Sequence, residues 1–221
     1  MTTFSVIASE NYRDAVPLCF KALEKFWPDC KMRRELAYTG EAPALKECKV
    51  PLNGIFPLGE DQGWIQNLIN FLAARKNPHE RLLLILEDYL VCDVDRELMR
   101  LAEVPFLFSE TMAVRVKPTP GPDGVLHGLP EMGPIFFTSP YCVSLQTTIW
   151  DPKHLTRLAE GILKVGGKSA WDFELMGSKI LAGLNPNVPI YGLTKTGLAC
   201  KNLYRRSKPV PEVLRWAEEN L

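Results

Sequence analysis

The 221-residue chain has no net charge, because 26 lysines and arginines balance 26 aspartates and glutamates. The basic excess of a protein that lives on nucleic acid or on an anionic membrane is missing, which argues against both as the main partner. None of the six cysteines (Cys19, Cys30, Cys48, Cys92, Cys142, Cys200) belongs to a C-x-x-C pair. A zinc site made mainly of thiolates is therefore not expected, and a disulfide framework would be unusual at this size. The cysteines read as small apolar core residues in a reducing compartment. No positive segment followed by an apolar stretch opens the chain, so no signal peptide is expected. No run reaches the ~20 apolar residues of a membrane span, and a cytoplasmic location is expected. G-x-G-x-x-G and G-x-S-x-G are absent. Gly166-Gly167-Lys168-Ser169 resembles the end of a phosphate loop, but Ile162 stands where its first glycine belongs. His79, His127 and His154 are too far apart for metal-ligand spacing, and His154 is expected on an exposed helix face.

What is present is an ordered alternation of elements. A buried strand is expected over residues 4–8. A helix follows, capped by Asn11 or Asp14 and carried by Val16, Cys19, Phe20, Leu23, Phe26 and Trp27. A strand over 34–39, a Gly- and Pro-rich stretch to Gly63, and a helix led by Trp64 come next. Residues 81–86 hold five consecutive large aliphatics, as in a central strand covered on both faces. A helix is expected over 95–103, with strands near 106–108 and over 112–116. Residues 118–134 contain five prolines and four glycines, which excludes a regular element and predicts a long loop. Strands over 135–138 and 141–148, helices from Asp151 and from Ser169 to Leu181, a strand over 188–193 and a terminal helix over 211–220 complete the chain. This order predicts one α/β domain with a mixed, mostly parallel central sheet flanked by helices.

Three groups of residues carry chemistry. Glu87 and Asp88 end the apolar strand, and in open α/β sheets ligands bind beyond the carboxyl ends of strands. Carboxylates there suit Mg²⁺ or Mn²⁺, which add phosphate oxygens and water as further ligands. Asp172 lies three residues after Ser169, a capping box at a helix start, and Glu174 follows. The local role of Asp172 is capping, which a role as general base does not exclude. Lys195, Lys201, Arg205, Arg206 and Lys208 form a basic segment around Tyr204, suited either to phosphates or simply to solvent.

Taken together, the first strand and helix, the Gly63-Trp64 helix feeding a strand that ends in Glu87-Asp88-Tyr89, residues 144–150 and residues 169–174 resemble a small GT-A-type glycosyltransferase. The resemblance implies a single GT-A-like domain over 1–221, with a nucleotide-binding half of about 1–95 and an acceptor half of about 96–221. It places Glu87 and Asp88 at the D-x-D motif as metal ligands for Mn²⁺ or Mg²⁺, although Tyr89 stands where a third acidic residue is usual. It puts the nucleotide sugar against Ala8, Ser9, Glu10, Asn11, Glu87, Asp88, Tyr89, Lys195, Arg205 and Arg206. Gln146, Trp150 and Trp171 fall on the acceptor side. Asp172, then Glu174, stand where inverting members keep their base. The implied reaction moves a sugar from a nucleotide-diphosphate donor to an acceptor hydroxyl of a glycan, small molecule, protein or modified nucleic acid. The competing reading is a non-catalytic interaction protein on the same fold.

Overall fold

A computed structural model describes residues 1–45, 51–184, 186–205 and 207–221; Cys48 and Arg206 lie outside them. The first half alternates strand and helix: β1 (Thr2–Ala8), α1 (Ala15–Phe26), β2 (Arg33–Tyr38), β3 (Gly54–Pro57), α2 (Trp64–Ala74) and β4 (Arg81–Leu86). Then come β5 (Tyr89–Val94), α3 (Arg96–Leu101), α4 (Pro105–Phe108), β6 (Ala113–Arg115), β7 (Met132–Ile135) and β8 (Thr148–Trp150). The chain continues through α5 (Pro152–Lys164), α6 (Ala170–Leu184), β9 (Ile190–Leu193), β10 (Leu198–Asn202), β11 (Tyr204–Arg205), β12 (Lys208–Pro209) and α7 (Pro211–Asn220).

Eight strands form one mixed sheet in the order β3-β2-β1-β4-β8-β6-β9-β7. The β3-β2-β1-β4 half is parallel, and β8 joins it antiparallel to β4. The aliphatic run of β4 is explained by its two covered faces. Leu83 and Ile85 join the core beneath α1 and the β5–β10 pair, while Leu82 and Leu84 join the core beneath α2, α5 and α6. β1 splits in the same way, with Phe4, Val6 and Ala8 on one side and Ile7 on the other. A buried ion pair ties the end of α2 to the sheet, where the Arg75 Nε donates to Glu35 Oε2 at 2.9 Å and its NH2 to Thr3 Oγ1 at 3.3 Å.

Several expectations need correction. Residues 106–108 are helical, started by Pro105 at the first helical position, and Leu107 and Phe108 face solvent. Residues 141–147 make no strand, because Tyr141 (φ 54°) and Thr147 (φ 40°) turn the chain. The backbone N–H groups of Val143 and Leu145 donate to Ser178 and Glu174 of α6 instead of to a neighbouring strand. Strands β3, β5 and β10 to β12 were not expected, and β7 (Met132–Ile135) begins inside the stretch expected to be loop, while the expected strand residues 136–138 form none. His154 is buried, not exposed; its N–H donates to Asp151, and its Nε2 lies 3.1 Å from Glu110 Oε1. Asp14 occupies the α1 N-cap without a side-chain bond, whereas Asp95 caps α3 by accepting from Glu97 N and Leu98 N. Among the described residues no disulfide forms. No described helix is long and apolar enough to cross a membrane.

Candidate functional site

The parallel strands β1 and β4 end on the same edge of the sheet, and the chain beyond each is tied to the other. Glu87 Oε1 accepts from the Ser9 N–H at 3.1 Å and from Ser9 Oγ at 3.2 Å. Burial pushes the Glu87 carboxyl up to about 7, against the pull of these bonds and with a smaller push from the Asp88 charge. Asp88 sits half-buried in the turn between β4 and β5. Burial raises its carboxyl to about 6, opposed by N–H donation from its own backbone and from Tyr204. The Asp88 carbonyl accepts from Leu203 N at 2.8 Å, so the C-terminal segment is stitched to this turn.

A cleft of about 980 Å³ opens here. It is lined by Ser9, Glu87, Asp88 and Tyr89 beyond the strand ends, by Gln146, Trp171 and Glu174, and by Lys201 and Arg205 of the C-terminal segment. Glu174 is on the α6 face that packs against residues 141–145, and its Oε1 accepts from Leu145 N at 2.7 Å and Ser144 Oγ at 2.9 Å. Trp171 lies one turn earlier, 63% exposed, its ring meeting the edge of Tyr141 at 6.5 Å between centroids. Gly63 seats the start of α2 against the α5–α6 turn. Its φ is +91°, and a Cβ there would lie 3.2 Å from the Lys168 carbonyl, so a side chain would be both strained and crowded.

Other expected residues fall elsewhere. Asp172 does not line the cleft; its Oδ2 accepts from Lys168 N, Ser169 N and Ser169 Oγ, each at 2.9 Å, and Asp172 N donates back to Ser169 Oγ. The Ser169 N–H, followed by that of Lys168, holds its carboxyl below the usual range, which disfavours proton uptake near neutrality. Ala8 is a buried core residue, and Glu10 and Asn11 lie in a short 3₁₀ turn outside the cleft lining. Trp150 is 1% exposed and packs edge-on against Phe173. Lys195 is exposed away from the lining, and Arg206 is outside the described residues.

The cleft also contains residues to which the sequence reading gave no role at the site. Lys117 and Lys168 line it, as does Tyr12, whose ring packs on Tyr204 at 4.9 Å and whose hydroxyl donates to Ser207 at 2.8 Å. Tyr204 among its cations is the local sign of the Tyr12 contact; Lys117 stands in a segment without a motif, and Lys168 belongs to the Gly166-Gly167-Lys168-Ser169 segment set aside above as an incomplete phosphate loop.

Among the described residues no three His, Cys, Asp or Glu side chains gather in the manner of a protein-built metal cage. Mg²⁺ and Mn²⁺ bound against phosphates need only one or two carboxylates. Asp88 fits that role: it is half-buried on the cleft wall, and no Lys or Arg forms an ion pair with it among the described residues. Glu87 fits poorly, being 6% exposed with Oε1 committed to Ser9.

No protein-family model matches the sequence, and no curated protein matches it. Among solved structures, the chain is similar to residues 1–349 of S. aureus TarS, a GT-A-type glycosyltransferase, at 18% identity and a TM-score of 0.52. The match covers 89% of this chain and 59% of that one, so the chain spans about three fifths of its length. The fold is of the GT-A type: a mixed, mostly parallel central sheet flanked by helices.

Proposed function

We propose that the protein is a glycosyltransferase, that its donor is a nucleotide-diphosphate sugar, and that Glu174 is the base of an inverting transfer. The observation that carries this reading is that Asp88 and Glu174, from distant parts of the chain, line one cleft at the carboxyl ends of β1 and β4. The nucleoside lies along Ser9, Tyr12 and Tyr204, with the diphosphate between Asp88 and the cations Arg205 and Lys201. Asp88 would hold Mn²⁺ or Mg²⁺, which supplies positive charge to the departing diphosphate. The lysine and arginine side chains stabilise the same growing charge.

Glu174 is held by two donors on Oε1 and takes the proton of the acceptor hydroxyl. The acceptor oxygen bonds to the anomeric carbon as its bond to the β-phosphate oxygen breaks, and that electron pair leaves with the diphosphate. One displacement inverts the anomeric centre, as a single base does in inverting hydrolysis. Gln146 and Trp171 border the acceptor. The sequence order of preference, Asp172 before Glu174, is reversed because Glu174 lines the cleft and Asp172 does not.

The test is a thermal-shift screen of uridine, guanosine, cytidine and thymidine diphosphates with and without Mn²⁺, on wild type and Asp88→Asn. At a hundredfold excess over Kd, binding adds about 2.7 kcal/mol, which raises Tm by about 5–10 °C in a chain of this size. One diphosphate should give such a shift with Mn²⁺, and Asp88→Asn should lose it. If none shifts the wild type, the interaction-protein reading replaces this one.

A further inference from the structure

Arg115 ends β6 with its side chain 1% exposed, yet among the described residues it forms no ion pair with a carboxylate. Its guanidinium donates to carbonyls alone: NH1 to Pro120 at 2.5 Å, and NH2 to Tyr141 at 2.6 Å and Cys142 at 3.1 Å. Among the described residues its Nε has no hydrogen-bond partner. Burying a cation on neutral acceptors is costly, and a position that needed only filling would be served by an apolar side chain. What a guanidinium adds is a rigid fork of donors that can hold two chain segments at once.

Both segments lead to the cleft. Pro120 lies at the base of the long loop over 118–134. Tyr141 and Cys142 open the stretch that receives α6: Tyr141 meets Trp171, Val143 N donates to Ser178 Oγ at 3.1 Å, and Ser144 and Leu145 hold Glu174. Tyr141 sits at φ 54°, a conformation that a non-glycine residue keeps only when its surroundings fix it. Its carbonyl is fixed by Arg115. Glu174 is also the acid whose charge most opposes the effect of burial on Arg115, which places the two groups near each other.

We propose that Arg115 is a positioning residue: without touching substrate, it fixes the backbone of 141–145 and thereby the seat of the Glu174 carboxylate and the Tyr141–Trp171 edge. The functional half of this inference rests on Glu174 being the base; the positioning half does not.

The experiment compares wild type with Arg115→Met and Arg115→Lys, the latter keeping charge and length without the fork, so that a reading survives if the methionine variant fails to fold. Backbone hydrogen exchange is followed at Val143 and Leu145 and, as reference, in β1 and β4. Hydrolysis of uridine, guanosine, cytidine and thymidine diphosphate sugars is followed in parallel. Loss of charge-assisted bonds should speed exchange at Val143 and Leu145 by about tenfold or more, with β1 and β4 unchanged. In the same variants kcat should fall by about tenfold while the donor KM stays within about twofold. Unchanged exchange at Val143 and Leu145, or exchange raised equally throughout the chain, overturns the inference, and so does local loosening with kcat intact. Local loosening in a protein whose wild type shows no thermal shift with any of the four diphosphates supports the positioning role and instead removes the transferase reading.

Discussion

Asp172 and Glu174 stand two residues apart, and their substitution should have opposite consequences. Asp172 gathers three donors on one oxygen at the start of α6. Asparagine keeps a capping oxygen there but loses the charge that favours a helix N-terminus, a loss of about 0.5–1 kcal/mol. Alanine loses the reciprocal half of the capping box, about 1–2 kcal/mol, while the Ser169 hydroxyl still caps the N–H of residue 172. In a chain of this length those costs lower Tm by roughly 1–4 °C and 2–8 °C respectively. Turnover should be retained in both, because the residue lies outside the cleft lining. Glu174→Gln preserves an acceptor for Leu145 N and Ser144 Oγ, so its Tm should stay near wild type. Loss of the base should lower kcat by about 10²–10⁴-fold with the donor KM little changed. The assay is release of nucleoside diphosphate under saturating donor, with Tm read on the same preparations. Asp172→Asn inactive at an unchanged Tm, or Glu174→Gln fully active, would refute the assignment.

Two further outcomes follow from buried charge. Glu87 is driven to about 7 from an ordinary 4.5, so the native state binds the extra proton between those values. Stability is therefore greatest below about pH 4.5 as far as this group is concerned, and falls by about 3 kcal/mol as pH rises to 7. Urea unfolding in EDTA at pH 5 and pH 8 should show Glu87→Gln removing most of that difference; an equal slope in wild type and variant would contradict it. Arg75 and Glu35 form a nearly inaccessible pair, with side chains 0% and 2% exposed. Arg75→Met should cost about 3–5 kcal/mol by leaving a buried carboxylate unmatched, and adding Glu35→Met should restore most of it. A double variant no more stable than the single would show that the Arg75 bonds to Thr3 and the Glu80 carbonyl matter more than the charge.

The parts of the fold legible in sequence are those whose burial is periodic and local. β4 announces itself because both faces are covered, and α5 because Asp151-Pro152 supplies cap and first turn together; the Asp151 carboxylate accepts from His154 N as that pattern requires. The missed strands are short or depend on a distant partner. β3 is four residues with alternate positions exposed, and it exists because β2 pairs with it in parallel. β5 is paired by β10, more than a hundred residues later, through a register shift at Ala199 and Cys200. Residues 141–147 carry the composition of a strand, but the backbone donors of Val143 and Leu145 are taken by the side chains of Ser178 and Glu174 in α6, which no local pattern encodes.

At the site, helical geometry settles more than motif likeness does. Residues 172 and 174 differ by about 200° around an α-helix, so at most one can face a given wall. The capping box of Ser169 and Asp172 was legible in the sequence, and in the structure it turns Asp172 back onto the helix start. Trp171, Glu174, Leu175 and Ser178 then share a face by i, i+3, i+4, i+7 spacing. That face carries both the exposed aromatic and the carboxylate, and the chain that packs on it supplies Ser144 and Leu145 to hold the carboxylate. The Asp172 oxygen that satisfies the first turn is turned away from the cleft that Glu174 lines, so under the proposed function the base drawn from this helix is Glu174.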